Sequence, residues 1–188
     1  MIQYEYVHAI GQDSHRFADL GSDGKPKDPK GNKKLILGGF VIPKGKPLLA
    51  NSDGDVLLHA LTNAVSGITC VNILGETADK LCLKEGVKDS KEFLALAMTS
   101  LGRREITHVS FSIECKTPKL SPYIESIRTS VANLIGTKHD SIGITVTSGE
   151  GLSAFGKGEG IMVFCSVTAR RPFGGFVEVQ QTGGPLLL

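Results

Sequence analysis

The stretch LLANSDGDVLLHALTNA, residues 48–64, joins a turn of small and acidic residues to the start of an amphipathic helix. Apolar side chains recur there at helical spacing, which predicts a helix over residues 53–69. Ser52 and Asp53 are residue types that cap the N-terminus of a helix, so the turn and the helix read as one unit. The rest of the chain is arranged around this unit.

Working outward from residues 48–64, strand patterns and helix patterns alternate along the chain. Strands are predicted at residues 4–15, 34–43, 108–116, 141–147 and 160–169, and further helices at 90–101 and 122–135. This order indicates one compact α/β or α+β layer. One domain is therefore expected over residues 1–170, followed by a patternless, Gly-rich tail over 171–188 that we expect to be flexible.

Three connecting segments are expected between the regular elements. Residues 18–33 are dense in Gly, Asp, Lys and Pro, and we expect this loop to be mobile. Residues 75–89 are polar and irregular. Residues 148–160 are rich in Gly and read as a loop between the last two strands.

Charge and composition exclude several classes of protein. The net charge is only +2 over 188 residues, with basic and acidic residues interleaved, which argues against a general nucleic-acid or membrane-surface binder. No apolar run approaches the roughly 18 residues of a membrane span, and the polar N-terminus predicts no secretory signal. The four cysteines have no close spacing, which favours reduced thiols and a cytoplasmic protein.

Asp13 and His15 are the first candidate metal ligands. Residues two apart on a strand face the same side, so this carboxylate and this imidazole converge if the strand extends through both. An open metal site needs a third ligand, and His59 of the helix is the natural candidate. A hydrogen-bonded pair without metal is the alternative, although histidine is scarce in this chain, with five in all.

Asp55 lies four residues before His59, on the same helical face. One interpretation is that Asp53 caps the helix and that the acidic residues interact favourably with the helix dipole. The other is a carboxylate that orients the His59 ring behind a metal ion. Spacing alone leaves both open.

Two further segments are candidate anion sites. Residues 147–151, TSGEG, offer free backbone N–H groups to a phosphate, and Glu150 could bind a Mg²⁺ ion that bridges phosphate oxygens. Residues 116–119, KTPK, stand before the helix at 122–135, where lysines and a helix N-terminus favour an anion. The alternatives are a flexible hairpin loop and solvated surface lysines.

The order of these segments is more specific than any one of them. GQDSHRF, LILGGFVIP, LLANSDGDVLLHALTNA, KTPKLSPYIESIR and TSGEGLSAFGKGEG follow one another between residues 10 and 168. In this the chain resembles the 2-C-methyl-D-erythritol 2,4-cyclodiphosphate synthase family. The family converts a cytidine-diphosphate-linked methylerythritol 2-phosphate into a cyclic diphosphate and CMP, in non-mevalonate isoprenoid biosynthesis. The resemblance implies a phosphorus–oxygen lyase.

The resemblance implies a fold, an assembly and two metals. It implies an α+β fold with a single-layer β-sheet and helices packed on one face, in a homotrimer whose active sites lie at subunit interfaces. Zn²⁺ or another divalent transition metal would be bound by Asp13, His15 and His59. Mg²⁺ or Mn²⁺ would be bound with the substrate diphosphate by Glu150.

The resemblance also implies roles for residues around the substrate. Asn51 and Ser148 occupy catalytic positions. The positions that would contact the substrate are Ser52, Gly75, Cys115, Pro118, Lys119, Leu120, Thr147, Ser148, Glu150 and Lys157. The substrate's own 2-phosphate is the nucleophile, so catalysis would consist of positioning and charge neutralisation.

The chain departs from the family pattern at several of these positions. Asn51 stands where the family has His, Ile73 where it has an acidic residue, and Lys157 where it commonly has Arg. Residues 78–83, ADKLCL, replace the run FPDTDP. The metal side therefore looks intact and the methylerythritol side altered. A trimeric protein that binds metal and cytidine nucleotide without turnover, and a zinc hydrolase of another nucleotide diphosphate, are the alternative functions.

Overall fold

The structure is a computed structural model that describes residues 2–22, 27, 34–75, 78 and 86–173. The strands are β1 (Tyr4–Arg16), β2 (Leu35–Leu37), β3 (Phe40–Ile42), β4 (Glu105–Glu114), β5 (Ile142–Thr147) and β6 (Gly160–Pro172). The helices are α1 (Val56–Thr69), α2 (Ser90–Thr99), α3 (Ile124–Ile135) and α4 (Ala154–Lys157). Within these residues no helix has the length and apolar character needed to cross a membrane.

A four-stranded sheet organises the fold, in the order β1-β6-β4-β5. β6 is antiparallel to both neighbours, whereas β4 and β5 are parallel. Burial alternates along β6, where the inward side chains from Ile161 to Ala169 have no exposed surface. α1 packs against β1 and β6, so the covered face of the sheet meets the most apolar helix. The mixed α+β fold is as the resemblance implied.

β2 and β3 form a separate two-stranded ribbon, which corresponds to the strand predicted at residues 34–43. Gly38 and Gly39 connect them with φ angles of 64° and 76°, a conformation that glycine adopts without strain. The predicted interruption by a Gly pair is therefore a hairpin turn.

The boundaries differ from the prediction in three places. α1 begins at Val56 rather than residue 53, because Gly54 has a φ of 73° that no right-handed helix contains. Residues 148–160 are more ordered than a loop: they hold a 3-10 turn at Gly149–Gly151 and the short helix α4. The tail predicted from residue 171 begins inside β6, and residues 174–188 lie outside the described part of the chain. Much of the loop predicted to be mobile at 18–33 also lies outside it.

Gly11 sets the distance between α1 and β1. A Cβ atom at this position would lie 2.1 Å from the backbone oxygen of Ala60 and 2.3 Å from the backbone nitrogen of Ala64. The helix backbone therefore rests directly on the strand at Gly11, and no larger residue fits without moving one of them. The contact fixes the position of His59, the neighbour of Ala60, relative to β1.

Gly11→Ala should therefore lower the free energy of unfolding by about 1–3 kcal/mol or more, the usual cost of overpacking a rigid contact. Urea unfolding followed by circular dichroism measures this. Gly143→Ala is the matched control on β5, because the added Cβ would meet its nearest atom at 3.6 Å, an ordinary contact distance. Equal stability of Gly11→Ala and Gly143→Ala would contradict the proposed role of Gly11.

Candidate metal centre and adjoining pocket

Asp13, His15 and His59 converge as predicted. Asp13 and His15 project from alternate positions of β1 towards α1, and His59 meets them from the first turn of that helix. His59 Nδ1 lies 3.0 Å from Asp13 Oδ2, and His15 Nε2 lies 3.1 Å from the same oxygen. One ligand atom from each residue falls within 4.8 Å of the others. Two imidazole nitrogens and a carboxylate oxygen form the donor set of an open transition-metal site.

The Asp13 carboxylate supplies negative charge to this cluster. Burial raises the pKa of Asp13, but hydrogen bonds from His15 and His59 lower it by more, so the pKa lies well below its ordinary value. The carboxyl group is therefore ionised at neutral pH. A divalent cation bound beside it meets an anionic ligand and two imidazoles.

The far side of the His59 ring is held by hydroxyl groups. Ser90 Oγ lies 2.9 Å from His59 Nε2, and Ser52 Oγ lies 3.3 Å from it. Phe93 packs near the ring, with centroids 6.4 Å apart. The ring is thus fixed with Nδ1 towards Asp13 and Nε2 away from it. The predicted substrate residue Ser52 is buried, and within the described residues it contacts His59 and the N–H of Gly54.

The structure assigns the roles of the two aspartates of the SDGD turn, which spacing alone left open. Asp55, not Asp53, caps α1: its carboxylate accepts the N–H groups of Leu57 and Leu58 at 3.2 and 3.0 Å. The interpretation of Asp55 as the carboxylate that orients His59 is wrong, because its oxygens are occupied by backbone N–H groups. Asp53 accepts both the N–H and the hydroxyl of Ser90, the residue beside His59.

Asp55 also accepts the N–H groups of Gly38 and Gly39, at 2.8 and 2.6 Å. The carboxylate is fully buried and joins the β2–β3 turn to the start of α1. It therefore secures the helix that carries His59 without touching the imidazole.

A pocket of about 230 Å³ opens beside the three candidate ligands. Among the predicted substrate and catalytic residues, Asn51, Ser52 and Gly75 line it. Asn63 also lines it, and its Nδ2 donates to the backbone oxygen of Gln12 at 3.1 Å. The structure thus brings the metal cluster and part of the expected substrate site together.

Ile73, which stands at the family's acidic position, is a core residue. It is buried, whereas the following residues, Leu74 and Gly75, line the pocket. Of the altered segment 78–83, Ala78 lines the pocket and residues 79–83 lie outside the described part of the chain.

The remaining predicted substrate residues lie at a second place, where the parallel strands β4 and β5 end. The N–H of Cys115, just after β4, bonds to the backbone oxygen of Thr147 at 2.9 Å. Ser148 and Glu150 follow in the 3-10 turn, where Glu150 has a φ of 48° and an exposed side chain. None of these residues lines the pocket beside the metal ligands.

The other members of this second group are split between surface and interior. Lys119 and Lys157 are exposed, the latter in the last turn of α4, while Leu120 is buried. Thr117 and Pro118 are joined by a cis peptide bond. The group offers cationic side chains at its surface, which suit an anionic ligand.

A known protein family matches nearly the whole described chain. The model of the YgbB family matches residues 7–170, which include both groups of site residues. The chain belongs to the YgbB family. A relative from Chlamydia caviae named 2-C-methyl-D-erythritol 2,4-cyclodiphosphate synthase is 42% identical over 167 residues, 88% of this chain and 90% of that protein. These matches confirm the resemblance drawn from the motifs.

Solved structures of related proteins have the same fold as this chain. The bifunctional IspDF from Campylobacter jejuni matches with a TM-score of 0.77 and 26% identity, over 90% of this chain and 43% of that one. A CDP-bound 2C-methyl-D-erythritol-2,4-cyclodiphosphate synthase matches with a TM-score of 0.68 and 26% identity, over 87% of this chain and 99% of that one.

Two residues near the site were missed by the sequence prediction: Ser90, which contacts His59, and Asn63, which lines the pocket. Ser90 is separated from His59 by 31 residues and reads locally as part of a helix start. Asn63 lies one helical turn after His59, and that spacing could have suggested a shared face.

Cys115 is held as a neutral thiol in the second group. Its Sγ lies 3.2 Å from the backbone oxygen of Thr117 and 3.6 Å from that of Pro118, so the thiol donates into the cis turn. Burial raises the pKa of Cys115 to about 11, even though Thr117 and Lys119 lower it. The thiol therefore supports the loop rather than acting as a nucleophile.

At pH 8 only about a thousandth of Cys115 should be thiolate, because its pKa lies about three units higher. Iodoacetamide should therefore label the exposed Cys70 well before Cys115 in the native protein, and labelling of Cys115 should accelerate as pH rises towards 11. Peptide mass spectrometry over time measures both rates, with the urea-unfolded protein as control. Equal native rates at pH 8 would refute the buried, neutral thiol.

Proposed function

We propose that this chain is a 2-C-methyl-D-erythritol 2,4-cyclodiphosphate synthase, a phosphorus–oxygen lyase that uses a divalent metal. The observation that carries the proposal is the convergence of Asp13, His15 and His59 on one pocket within a chain of the YgbB family. The names of its relatives give the product, 2-C-methyl-D-erythritol 2,4-cyclodiphosphate, and the CDP-bound structure of a related synthase supports a cytidine nucleotide as part of the substrate.

The reaction needs no protein nucleophile. An oxygen of the substrate's 2-phosphate forms a bond to the β-phosphorus, the bond from that phosphorus to the oxygen of the α-phosphate breaks, and CMP leaves with the electron pair. Zn²⁺, when bound by Asp13, His15 and His59, supplies a Lewis acid for the β-phosphate. Glu150 would hold Mg²⁺ or Mn²⁺ with the substrate, which would supply positive charge to neutralise the diphosphate.

The protein's own groups orient the two reacting phosphates. Asn51 and Ser52 line the pocket beside the metal ligands, where they can donate hydrogen bonds to phosphate or hydroxyl oxygens. Thr147, Ser148 and Lys157 would bind the nucleotide diphosphate, and Pro118 to Leu120 with Cys115 would enclose the cytidine. Asn51 cannot carry a proton between groups as the family's histidine can, so its contribution is orientation.

The two groups of residues support a homotrimer with shared sites. Within one chain the nucleotide group does not line the metal pocket, so a neighbouring subunit would complete the site. The uncovered face of the sheet supports the same assembly, because Tyr6 and Ile10 of β1 and Phe164 of β6 are exposed there. Exposed apolar side chains grouped on one face are typical of an interface.

The first test is turnover of the cytidine-diphosphate-linked methylerythritol 2-phosphate, followed by ³¹P NMR. Cyclic diphosphate with CMP is the expected result. His59→Ala should abolish turnover and zinc binding while leaving the fold intact, since it removes one of three ligands. His139→Ala is the control, because it removes only a surface ion pair with Glu125.

Other outcomes of this assay have definite meanings. Linear hydrolysis products would identify a hydrolase, and CMP binding without turnover would identify a binding protein. Full activity in His59→Ala would exclude the metal assignment.

Shared sites can be tested by complementation between two inactive variants. His59→Ala damages the metal half and Glu150→Gln the nucleotide half, so each alone should be inactive. In a mixed cyclic trimer one of the three interfaces joins two intact halves, so trimers purified through two different tags should recover about one third of wild-type activity. Mixed trimers without activity would contradict a site shared between subunits.

A further inference from the structure

We propose that Ser90 is a positioning residue for His59, through which Asp53 keeps the proton on Nε2 and leaves Nδ1 for the metal. The proposal deepens the proposed function, because it rests on Asp13, His15 and His59 holding a metal ion. It assigns a role to a residue on α2 that contacts neither substrate nor metal.

The contact geometry forms a chain of three groups. The Ser90 hydroxyl is fully buried and lies 2.9 Å from His59 Nε2. The same hydroxyl donates a short hydrogen bond to Asp53 Oδ1, and the backbone N–H of Ser90 bonds to Asp53 Oδ2 at 3.2 Å. Asp53 thus holds Ser90 at both of its donors.

Counting protons decides the direction of each bond. A serine hydroxyl has one proton, and an ionised carboxylate only accepts. Because the Ser90 proton is given to Asp53, the Ser90 oxygen faces His59 as an acceptor. His59 Nε2 must therefore carry a proton and donate it to Ser90.

The consequence lies on the other side of the ring. With its proton held at Nε2, His59 presents Nδ1 to Asp13 and His15, at 3.0 and 3.4 Å from their nearest atoms. A divalent ion would bind the lone pair of Nδ1, while the N–H at Nε2 would go on donating to Ser90. Metal-binding histidines commonly donate their other N–H to an acceptor in this way. In this chain the acceptor is a hydroxyl made more basic by a carboxylate.

Ser90 is not the N-cap of α2, so helix capping does not account for its buried hydroxyl. Asp89 is the N-cap of α2, and its side chain accepts the N–H of Lys91 at 3.0 Å. Ser52 is a weaker partner of His59, since it lies 3.3 Å from Nε2 and already accepts the N–H of Gly54.

The turn that carries Asp53 is also fixed to α2. The backbone N–H of Asp53 bonds to the oxygen of Lys88 at 2.8 Å, and Asp53 Oδ1 accepts the N–H of Asp55 at 3.1 Å. Asp53, Ser90 and His59 therefore belong to one rigid junction between the two helices. Such rigidity is what a positioning contact needs in order to hold an imidazole in one orientation.

The test measures Zn²⁺ affinity of the full-length, metal-stripped protein by competition with a chromogenic chelator. Ser90→Ala should weaken Zn²⁺ binding by about tenfold to a hundredfold, the usual effect of losing the partner of a metal-binding histidine. Ser66→Ala is the matched control: its hydroxyl is also buried, lies on α1, and has no hydrogen-bond partner among the described residues. This control should bind Zn²⁺ as the wild type does.

Two results would overturn the proposal. One is an affinity of Ser90→Ala within about threefold of wild type, and the other is an equal loss in Ser66→Ala, which would show a general effect of deleting a buried hydroxyl. A wild type that binds no divalent ion would overturn the proposed function and this inference together. A wild type that binds Zn²⁺ beside an unaffected Ser90→Ala overturns this inference alone.

A second measurement decides the matter should Ser90→Ala not fold. Long-range ¹H–¹⁵N NMR of the zinc-loaded, ¹⁵N-labelled wild type, with His59→Ala used to assign the signals, reports which ring nitrogen is protonated. A protonated Nε2 with a metal-bound Nδ1 supports the proposal. The opposite pattern overturns it.

Discussion

The close approach of α1 to β1 at Gly11 is the constraint on which the site depends. With no side chain at this position, the backbone of Ala60 rests on the strand. Strand residues alternate in direction, so Gly11, Asp13 and His15 all face α1. Asp13 lies two residues after Gly11 on β1, and His59 precedes Ala60 on α1. The two side chains therefore meet beside this contact, 3.0 Å apart. The same contact that packs the core therefore places the three candidate ligands together.

The SDGD turn joins this packed pair to the rest of the molecule. Asp55 binds the β2–β3 turn and caps α1, while Asp53 binds the start of α2. Two carboxylates two residues apart thus connect a hairpin and two helices to the His59 side of the site. Hydrogen bonds from the protein engage both oxygens of each carboxylate, and neither aspartate belongs to the cluster of candidate ligands around Asp13. The negative charge available to a metal is that of Asp13 alone among these three aspartates.

The regular elements could be predicted because they follow from the local periodicity of apolar residues. The three candidate ligands could be predicted because two of them, Asp13 and His15, lie two residues apart on one strand. The sequence could not assign the roles of Asp53 and Asp55. That assignment depends on Gly54, whose positive φ prevents the helix from beginning before it. α1 therefore begins at Val56, and Asp55 rather than Asp53 is its N-cap. Ser90 could not be found either, since its meeting with His59 joins segments 31 residues apart through tertiary packing. Ile73 looked like a pocket residue by position, but its apolar side chain is buried in the core and leaves Leu74 and Gly75 to line the pocket.

One departure from the family pattern, Asn51, falls on the less constrained wall of the pocket beside the metal ligands. The metal half of the pocket is held in place by the fold. His59 is buried in the first turn of α1, and its ring forms a hydrogen bond with Ser90. A change at one of the three candidate ligands would remove a metal contact even where the fold persists. Asn51, by contrast, is exposed and lies outside regular helices and strands. Its side chain can change with little effect on the core, so this wall can adapt to substrate while the metal ligands stay fixed. The histidine-to-Asn51 difference lies on that wall, and it replaces a group that can be charged with a neutral amide that orients phosphate or hydroxyl oxygens by hydrogen bonding alone.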